Sequence, residues 1–560
     1  MRAKRVKCGF FGGLDENMYQ SACHAAESAG FSIDEGGALV KGPGFKKFLT
    51  CDGVVNGIWA GSIGGEKILA YAGGAYFNVY KLETQTNVKL GLIGSTPAKM
   101  FEFNGCLYIL NSVNYYKYDG TSLSEVKGYA PLVAISTPPS GGGTPYEAAN
   151  MLTKSRRQLF SPDGTSTFFI LAETAAGIEK ITAGGVELAE SAYSYSQGMV
   201  EIFTPPAKGV NTLEVFYTMS SSSRTEILSC TNATLFGSNA DVRVFLWGNS
   251  QRPCRRYHSE LADGMPTAEY FPVTSFTEIG ASPITDIVQQ YDKQLIFTKD
   301  SAYFSYCEIK TSLSGQQYAS FPVYPLNPAK GNLIYGSGCT MEGLPVTLCH
   351  DGLNVWQPGV VESEKNAVCF SSPINAKIKP YAKGGSVSSL LFNNISAGCL
   401  YFTAPGNMYV YNYKRKCFFC LSGLNALRMC YAYGNMYIAA NDMCIYTLSP
   451  DEKGFNASYV THYSPLGYGG AKTIKEVTLT VEAGEATAGK LRVDYISGNN
   501  TSYREQSFSI PASAKGRVVK VRIPVYAPLV HLARFTFSSP SGSLLKILGW
   551  EATVLEKGEI

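Results

Sequence analysis

Residues 103–120 read Phe-Asn-Gly-Cys-Leu-Tyr-Ile-Leu-Asn-Ser-Val-Asn-Tyr-Tyr-Lys-Tyr-Asp-Gly, and this stretch carries the pattern that predicts the fold. Asn104-Gly105 is typical of a tight turn, and Leu107 and Ile109 alternate with their neighbours as residues of a strand do. A second strand is predicted to begin at Tyr115. The stretch therefore predicts an antiparallel hairpin.

The same pattern recurs along the chain. Similar hairpins are predicted at residues 64–80, 291–306, 342–357, 398–413 and 433–448, with a degenerate copy at 242–261. Recurring four-strand units of this kind are typical of β-propeller blades, because each unit buries its faces against its neighbours. The predicted fold class is all-β with a β-propeller. The alternative is a generic β-rich protein whose hairpins merely look alike.

An inserted domain interrupts the blade pattern. A Pro- and Gly-rich stretch at residues 138–143 predicts a domain boundary, and residues 199–203 and 213–217 predict a hairpin beyond it. We expect a small inserted β-sandwich. The residues left for blades number about 310, which at about 45 per blade gives about seven blades, with six or eight also open.

The two ends of the chain predict separate modules. The N-terminal lead-in is Gly-rich and predicts one short helix, which Asp15 can cap, Ala residues from Ala22 to Ala29 line on one face, and Gly30 can end. Near the C-terminus, apolar and basic residues alternate over 519–523, which predicts a sandwich with one polar face. The predicted domains are the lead-in 1–47, blades 48–129, the inserted sandwich 130–226, blades 227–455 and the C-terminal sandwich 456–560.

The composition argues against several classes of protein. Charged residues make up 16% of the 560 residues, and the formal charge of +4 is spread without a run of five or more basic residues. A nucleic-acid-binding surface is therefore not predicted. No apolar run reaches the ~18 residues of a membrane span. The basic start is followed by Gly-rich sequence and not by an apolar signal core, so we expect synthesis in a cytoplasm and no membrane anchor.

Fifteen cysteines occur mostly within strand patterns, and the number is odd. Reduced core cysteines explain this better than a disulfide framework, which belongs to small secreted domains. Cys417 and Cys420 form a CxxC motif. Zinc would need a second ligand pair, and none is apparent, so we predict neither a metal nor a cofactor.

Signals for catalysis are weak. The five histidines, His24, His258, His350, His462 and His531, are not spaced as metal ligands on a helix, and nucleotide-binding fingerprints are missing. Facing carboxylates of a propeller glycosidase could come from Asp286, Asp292, Asp300, Asp351, Asp442 and Glu342. Most of these lie in predicted turns, where Asp is expected for its own hydrogen bonding. We predict that the protein is not an enzyme.

Two further groups of side chains have a structural and a functional interpretation. His258 could be a pH-responsive contact, although a polar histidine at a strand end is the commoner case. Six tyrosines could stack sugars or bases, but their alternation along strands favours packing between blades. They are Tyr115, Tyr116, Tyr118, Tyr409, Tyr411 and Tyr413.

One segment resembles a known family. Residues 247–261 read Trp-Gly-Asn-Ser-Gln-Arg-Pro-Cys-Arg-Arg-Tyr-His-Ser-Glu-Leu and are followed by an aromatic-Pro pair and an Ile-Thr pair. We call the following residues the signature: Trp247, Arg256, Tyr257, Ser259, Phe271, Pro272, Ile284 and Thr285. The pattern resembles the tail nozzle proteins of short-tailed bacteriophages, also called packaged-DNA stabilisation proteins. Residues 35–44 and the inserted region are similar to that family too.

The resemblance implies a structural protein of the virion tail. It implies a homo-oligomeric ring of six subunits below the portal and adaptor, which retains packaged double-stranded DNA and lets it exit without sequence-specific binding. The sandwich domains would contact neighbouring subunits and tail fibre or tail tip proteins. The chain departs from the family in its many cysteines and in the lack of a clear acidic lumen, so residues lining a DNA channel stay unassigned.

Two other hypotheses remain open. The first is a carbohydrate-binding or carbohydrate-cleaving propeller that acts in host-receptor recognition. Such a glycosidase would need converging carboxylates, whereas a ring protein would carry apolar and Tyr-rich patches on the propeller's flanks. The second is a monomeric accessory protein that packs on the tail and has no self-complementary surface.

Overall fold

The structure is a computed structural model that describes residues 2–238, 241–311, 317–383, 390–485 and 487–556. Strands dominate these ranges, and the α-helices in them, Arg224–Leu228 and Asn375–Lys383, are short. Within the same ranges no helix has both the length and the apolar character needed to cross a membrane.

The chain divides into two compact units. One unit contains Met1–Val55, Leu295–Phe304 and Tyr324–Ile560, and the other contains Asn56–Gln294 and Ser305–Val323. The predicted fold class is confirmed: the protein is all-β, with a β-propeller of seven four-stranded blades, an inserted β-sandwich and a C-terminal β-sandwich.

Blades 1 to 3 are antiparallel sheets, numbered along the chain. Blade 1 contains Val55–Ile63, Glu66–Gly73, Tyr76–Lys81 and Thr86–Leu92. Blade 2 contains Lys99–Phe103, Cys106–Leu110, Tyr115–Tyr118 and Leu123–Glu125. Blade 3 contains Asn232–Ser238, Asp241–Trp247, Arg255–His258 and Phe276–Glu278, with a small hairpin of Leu261–Ala262 and Met265–Pro266.

Blades 4 to 7 follow the same plan. Blade 4 contains Asp286–Gln290, Lys293–Phe297, Ala302–Tyr306 and Val323–Asn327, with a hairpin of Glu308–Thr311 and Gln317–Ser320. Blade 5 contains Cys339–Met341, Leu344–Cys349, Gly352–Trp356 and Ala367–Cys369. Blade 6 contains Leu391–Asn394, Cys399–Ala404, Asn407–Asn412 and Cys417–Ser422. Blade 7 contains Ala426–Ala432, Asn435–Ala440, Cys444–Ser449 and Gly44–Thr50.

Each predicted hairpin, including the degenerate one, is found in a separate blade. In blade 2, Asn104 and Gly105 both have positive φ angles, 49° and 73°. Two such residues in succession match the twist of a two-residue hairpin turn, which is why the Asn-Gly pair was informative.

Blade 2 is buried on both faces. Leu107 and Ile109 belong to an apolar cluster shared with blade 1. Tyr108 and Leu110, which alternate with them, belong to a cluster shared with blade 3. Alternate residues of one strand therefore fill the spaces on opposite sides of the sheet.

Blade 7 is completed by a strand from the beginning of the chain. Gly44–Thr50 pairs antiparallel with Cys444–Ser449. Thr50 lies opposite Cys444, although the two residues are 394 positions apart. Three strands of blade 7 therefore come from residues 426–449, and the fourth comes from residues 44–50.

The inserted domain is a sandwich of two sheets. The six-stranded sheet contains Leu132–Thr137, Thr144–Pro145, Ser155–Phe160, Gly177–Ala183, Val186–Glu187 and Leu213–Thr218. The three-stranded sheet contains Phe168–Ile170, Tyr193–Ser196 and Met199–Ile202. The predicted hairpin between residues 199–203 and 213–217 is wrong, because these strands lie in different sheets. Their inward residues, among them Val200 and Val215, pack face to face in one core.

The predicted boundary at residues 138–143 is also wrong. This stretch connects Leu132–Thr137 to Thr144–Pro145, which pair antiparallel inside the inserted domain. Gly141, Gly142 and Gly143 all have positive φ angles there. The Gly-rich composition serves a reversal of the chain within the domain.

The predicted N-terminal helix is wrong as well. His24–Ala29 is a strand that pairs in parallel with Gly13–Leu14 and antiparallel with Ala457–Thr461. Ala25 is fully buried in this arrangement. Pairing along both edges overrides the helix propensity of the Ala-rich stripe, since propensity is a weak preference beside tertiary contacts.

The N-terminal strands belong to the C-terminal sandwich. The C-terminal strands are Ala457–Thr461, Lys472–Glu482, Thr487–Ser497, Asn500–Ile510, Val518–Val530, Leu532–Ser539 and Lys546–Glu556. The remaining N-terminal strands are Arg2–Cys8, Phe31–Ile33 and Leu39–Lys41. Both Arg2–Cys8 and Leu39–Lys41 pair with Lys546–Glu556.

A buried lysine lies in this sandwich. Lys472 is fully buried, and its Nζ donates hydrogen bonds to the carbonyl oxygens of Tyr468 at 2.8 Å and His531 at 2.7 Å. Burial lowers the pKa of Lys472 from its ordinary value of 10.5 to about 8. The carbonyl oxygens hold the ammonium group in place but supply no full negative charge.

We predict that Lys472 makes stability depend on pH. Between pH 8 and 10.5 the unfolded chain binds a proton that the folded protein lacks. The free energy of unfolding therefore rises through this window, by at most about 1.4 kcal/mol per pH unit. We expect urea unfolding to show that the free energy of unfolding of wild type, minus that of Lys472→Met, increases as the pH rises from 8 to 10.5. Lys475→Met, an exposed position on the same strand, should run parallel to wild type, and parallel curves for Lys472→Met would refute the prediction.

Candidate functional site

The signature residues lie in and around blade 3 and are internal. Arg256 and Tyr257 are on its third strand, Trp247 ends its second strand, and all three are buried. Ser259, Phe271, Pro272 and Ile284 are buried too, while Thr285 is half-buried. The signature is therefore part of the framework of the fold and is not a surface patch.

Arg256 is the most unusual member of the signature. Its Nη1 donates to Gln294 Oε1 at 2.8 Å, and its Nη2 donates to the carbonyl oxygen of Phe321 at 3.0 Å. The guanidinium group also lies 4.9 Å from the ring centre of Phe245. Burial lowers the pKa of Arg256 to about 9. Within the described ranges no carboxylate pairs with it, so neutral oxygens and an aromatic ring hold the charge.

Two other signature residues make hydrogen bonds that hold blade 3, one to a neighbouring helix and one within the blade. The Tyr257 hydroxyl donates to Glu226 Oε2 at 2.9 Å, which ties the blade to the short helix Arg224–Leu228. Ser259 Oγ accepts a hydrogen bond from the backbone N–H of Val244 at 3.0 Å. Both contacts satisfy polar groups inside the fold, where an unsatisfied group would be costly.

Phe271 and Pro272 form the joint between blade 3 and the inserted domain. Pro272 pairs with Asn150 as an isolated bridge. The N–H of Met151 donates to the Phe271 carbonyl oxygen at 2.9 Å, and the N–H of Val273 donates to the carbonyl oxygen of Ala149, also at 2.9 Å. Residues 149–151, which lie within the insertion between Thr144–Pro145 and Ser155–Phe160, are thus paired to the segment that leads into the fourth strand of blade 3.

Asn150 is the central residue of this joint. Its Nδ2 donates to the carbonyl oxygens of Tyr129 and Glu269, both at 2.8 Å. Its Oδ1 accepts from the N–H groups of Leu152 at 3.1 Å and Phe271 at 3.0 Å. The side chain is buried and uses its full hydrogen-bonding capacity. The role of Asn150 depends on carbonyl groups far away in the sequence, so the local pattern gave no sign of it.

A second polar network supports the joint at the surface. The Tyr129 hydroxyl, which has one proton to donate, lies within hydrogen-bonding distance of two carboxylates, 2.9 Å from Asp263 Oδ1 and 3.0 Å from Glu147 Oε2. Arg157 Nη2 lies 3.0 Å from Asp263 Oδ1. Partial burial opposes ionisation of Asp263, but the hydrogen bonds from Arg157 and Tyr129 outweigh it and lower its pKa. Asp263 is at the tip of the small hairpin of blade 3, which therefore reaches the base of the insertion.

The candidate catalytic carboxylates are mostly in turns. Asp292, Asp300, Asp351 and Glu342 lie in loops of blades 4 and 5, Asp442 lies in a loop of blade 7, and Asp286 is buried at the start of a strand. Asp300 accepts a hydrogen bond from His350 Nε2 at 2.9 Å, and Asp351 pairs with Lys330 at 2.7 Å. These contacts are those expected of residues that shape turns.

His258 and the CxxC motif are engaged in packing. His258 is packed against the rings of Phe245 and Phe321, its Nε2 lies 3.2 Å from Glu260, and burial lowers its pKa. Cys417 and Cys420 are buried on one strand, and burial raises the pKa of each thiol to about 11. Across the part of the chain that the structure describes, no group of three or more His, Cys, Asp or Glu residues is arranged to hold a metal ion.

The tyrosines confirm the packing interpretation. Tyr115, Tyr118 and Tyr409 are buried, whereas Tyr116, Tyr411 and Tyr413 are half-buried. Tyr115 donates a hydrogen bond from its hydroxyl to the carbonyl oxygen of Ala268 at 3.1 Å. The ring of Tyr411 packs against that of Phe418, with 4.7 Å between the ring centres.

Comparisons with known proteins leave the family open. No protein-family model matches the chain, and no curated protein matches it. A solved structure of BBS1N in complex with ARL6DN is similar at 10% identity, covering 72% of this chain and 97% of that chain, with a TM-score of 0.25. The Cps50 (Swd1) β-propeller domain of Myceliophteria thermophila is similar at 10% identity, covering 72% and 100%, with a TM-score of 0.28. Hsv2p of Kluyveromyces lactis is similar at 8% identity, covering 64% and 94%, with a TM-score of 0.23. At these TM-scores the likenesses carry no argument about function.

We predict that Asn150 is required for a stable joint. Asn150→Ala leaves two carbonyl oxygens and two N–H groups without this partner, so the free energy of unfolding should fall by about 3 kcal/mol. Denaturant unfolding measures this loss, and limited proteolysis should show faster cleavage around residues 126–131. Asn87→Ala removes an exposed side chain with one hydrogen bond, to Tyr71, and should cost less than about 1 kcal/mol. Equal stability of the two variants would contradict the role of Asn150.

Proposed function

We propose that the protein is a structural component of a bacteriophage tail. It forms a ring of six copies at the distal end of the portal–adaptor–tail channel, retains packaged double-stranded DNA and provides its exit path. It acts without catalysis and without a cofactor. Its partners are its own copies, the portal or adaptor, and tail fibre or tail tip proteins.

The observation that carries this proposal is the position of the signature. The residues that resemble nozzle proteins are the buried residues that organise blade 3 and its joint with the insertion. Phe271 is hydrogen-bonded to Asn150 and Met151, and Tyr257 to Glu226. A resemblance concentrated in framework residues is the kind expected from a shared architecture. A firmly held insertion suits a subunit that must pass force to its neighbours.

The inserted domain also offers a surface for such neighbours. Ile170 lies opposite Met199 on the outer face of its three-stranded sheet, and Phe168 lies two residues before Ile170 on the same face. The exposed fractions of Phe168, Ile170 and Met199 are 46%, 44% and 40%. Large apolar side chains grouped on one sheet face are typical of protein–protein contacts.

The overall charge is compatible with a DNA conduit. The formal charge of +4 over 560 residues is low, so the protein as a whole is not strongly basic. Basic walls would bind phosphates of any sequence and would slow the passage of DNA. A weakly charged protein is therefore better suited to guiding DNA than to holding it by phosphate contacts.

The test is assembly. Native mass measurement and negative-stain imaging, with and without neighbouring tail proteins, should give rings of six 60.6 kDa subunits. The double variant Phe168→Asp/Ile170→Asp should raise the protein concentration needed for ring assembly at least tenfold. The circular dichroism spectrum of the monomer should stay unchanged. Ile395→Asp changes another exposed apolar residue, in a turn of blade 6, and should assemble like wild type. A protein that stays monomeric with those partners would contradict the proposal.

A second candidate function is carbohydrate binding. An open cleft of about 400 Å³ beside blade 7 is lined by polar and aromatic residues. Asp442, Tyr446 and Glu452 contribute polar groups, and Phe45 contributes a ring. Carboxylates and hydroxyls beside an aromatic ring are groups that can bind a sugar.

A glycan array tests this alternative. Binding to a defined glycan that Asp442→Ala reduces at least tenfold would favour it, because the carboxylate would have lost its hydrogen bonds to sugar hydroxyls. Asp451→Ala removes a nearby exposed carboxylate that does not line the cleft and should bind like wild type. An array without binding, or equal binding by Asp442→Ala, would dismiss the cleft as a sugar site.

A further inference from the structure

A lysine, an aspartate and an asparagine lie in mutual contact at blade 5. Lys330 belongs to the connection before the first strand of the blade, Asp351 to the turn after its second strand, and Asn354 to its third strand. Lys330 Nζ donates to Asp351 Oδ2 at 2.7 Å and to Asn354 Oδ1 at 3.0 Å. Asn354 Nδ2 donates to Asp351 Oδ1 at 2.7 Å. One carboxylate therefore bridges an amine and a carboxamide that also contact each other.

The orientation of the Asn354 carboxamide follows from its partners. The ammonium group of Lys330 can only donate hydrogen bonds, so the amide atom that faces it is the oxygen. The amide nitrogen uses one proton for Asp351 and the other for the carbonyl oxygen of Gly352 at 3.0 Å. Asn354 is fully buried, so bulk water does not contact its carbonyl group. The carbonyl group is thus turned towards the amine and away from solvent.

The backbone holds the three side chains in place. The N–H of Lys330 donates to Asn327 Oδ1 at 2.9 Å, and the carbonyl oxygen of Asp351 accepts from Asn375 Nδ2 at 2.8 Å. Asn354 is paired in register with a strand on each side. Groups that a rigid framework holds in contact react far more readily than the same groups on separate molecules, because little entropy is lost in bringing them together.

We propose that the side chains of Lys330 and Asn354 join in an isopeptide bond, with Asp351 carrying the protons. The bond fastens the connection before blade 5 to the third strand of that blade. It forms once in each molecule and involves no external substrate. This inference does not depend on the proposed tail function.

The reaction balances without an added reagent. Asp351 accepts a proton from the Lys330 ammonium group, and the free Nζ attacks Cγ of Asn354 to form a tetrahedral intermediate. The bond between Cγ and the original amide nitrogen then breaks, while the bond between Nζ and Cγ remains. Two protons in all pass from Nζ by way of Asp351 to the departing nitrogen, which leaves as an ammonium ion. One ammonium group and one carboxamide become one substituted amide and one ammonium ion.

The position of Asp351 suits this role. Partial burial opposes ionisation of Asp351, but the hydrogen bonds from Lys330 and Asn354 outweigh it and lower its pKa. The carboxylate is therefore ionised, and its two oxygens already contact the amine and the nitrogen that departs. A carboxylate of lowered pKa is a weak base, so the bond forms slowly. The side chain of Asp351 is 44% exposed, which gives the released ammonium ion a path to solvent.

Peptide mapping of the full-length protein tests the proposal. In an unlinked chain, trypsin cuts after Lys330 and yields the peptides 311–330 and 331–365. The bond removes the ammonium group that trypsin recognises, so the linked chain should yield peptide 311–365, lighter by one ammonia. We expect this peptide from protein kept at neutral pH until its peptide masses stop changing. Release of peptide 331–365 would overturn the proposal, and its release with loss of ammonia would indicate a succinimide at Asn354 instead.

Variants separate the bond from the ion pair. Lys330→Arg keeps the positive charge beside Asp351, but a guanidinium group does not attack an amide, so trypsin should cut after position 330 without loss of ammonia. Asp351→Asn removes the proton acceptor and should slow bond formation about a hundredfold in newly translated protein. Lys365→Arg changes an exposed lysine of the same peptide and should link like wild type. Linking of Asp351→Asn at the wild-type rate would refute the role of Asp351.

Discussion

The structure depends on hydrogen bonds between strands that lie at opposite ends of the chain. Gly44–Thr50 completes blade 7, and Arg2–Cys8 pairs with Lys546–Glu556 in the C-terminal sandwich. Backbone N–H and C=O groups inside a fold must find partners, and an open strand edge invites unwanted pairing. These pairs close very long loops. During folding, the chain therefore loses the entropy of loop closure before the hydrogen bonds between the strands can stabilise it. The first compact unit can therefore be completed only when both ends of the chain are present.

The difference between local and distant contacts explains which parts of the fold the sequence could predict. The hairpins of the seven blades were predictable, because turn residues such as Asn104-Gly105 and the alternation beside them are local signals. The errors concern pairing. The Ala-rich stripe at residues 24–29 became a strand because it pairs along both edges, with Gly13–Leu14 on one side and the distant Ala457–Thr461 on the other. The strands at 199–202 and 213–218 alternate correctly but belong to different sheets.

The same difference applies to the candidate site. Resemblance singled out Arg256, Tyr257 and Phe271, but their hydrogen-bond partners lie elsewhere in the chain, such as the Phe321 carbonyl oxygen for Arg256 and Glu226 for Tyr257. Asn150 makes four hydrogen bonds, and three of them reach segments 21 or more residues away. No local pattern encodes such contacts.

The hydrogen-bond partners of the polar side chains are relevant to function. Asn150 and Lys472 are enclosed by backbone partners, and Asp300 and Asp351 are engaged in turns. Groups whose bonds hold the fold together cannot rearrange around a reacting molecule without losing stability. The outer face of the insertion is different, because it carries exposed apolar side chains, which make no hydrogen bonds. The strand register holds three of them together: Phe168, Ile170 and Met199. A protein built in this way suits the presentation of fixed surfaces to neighbours, which supports the structural role that we propose.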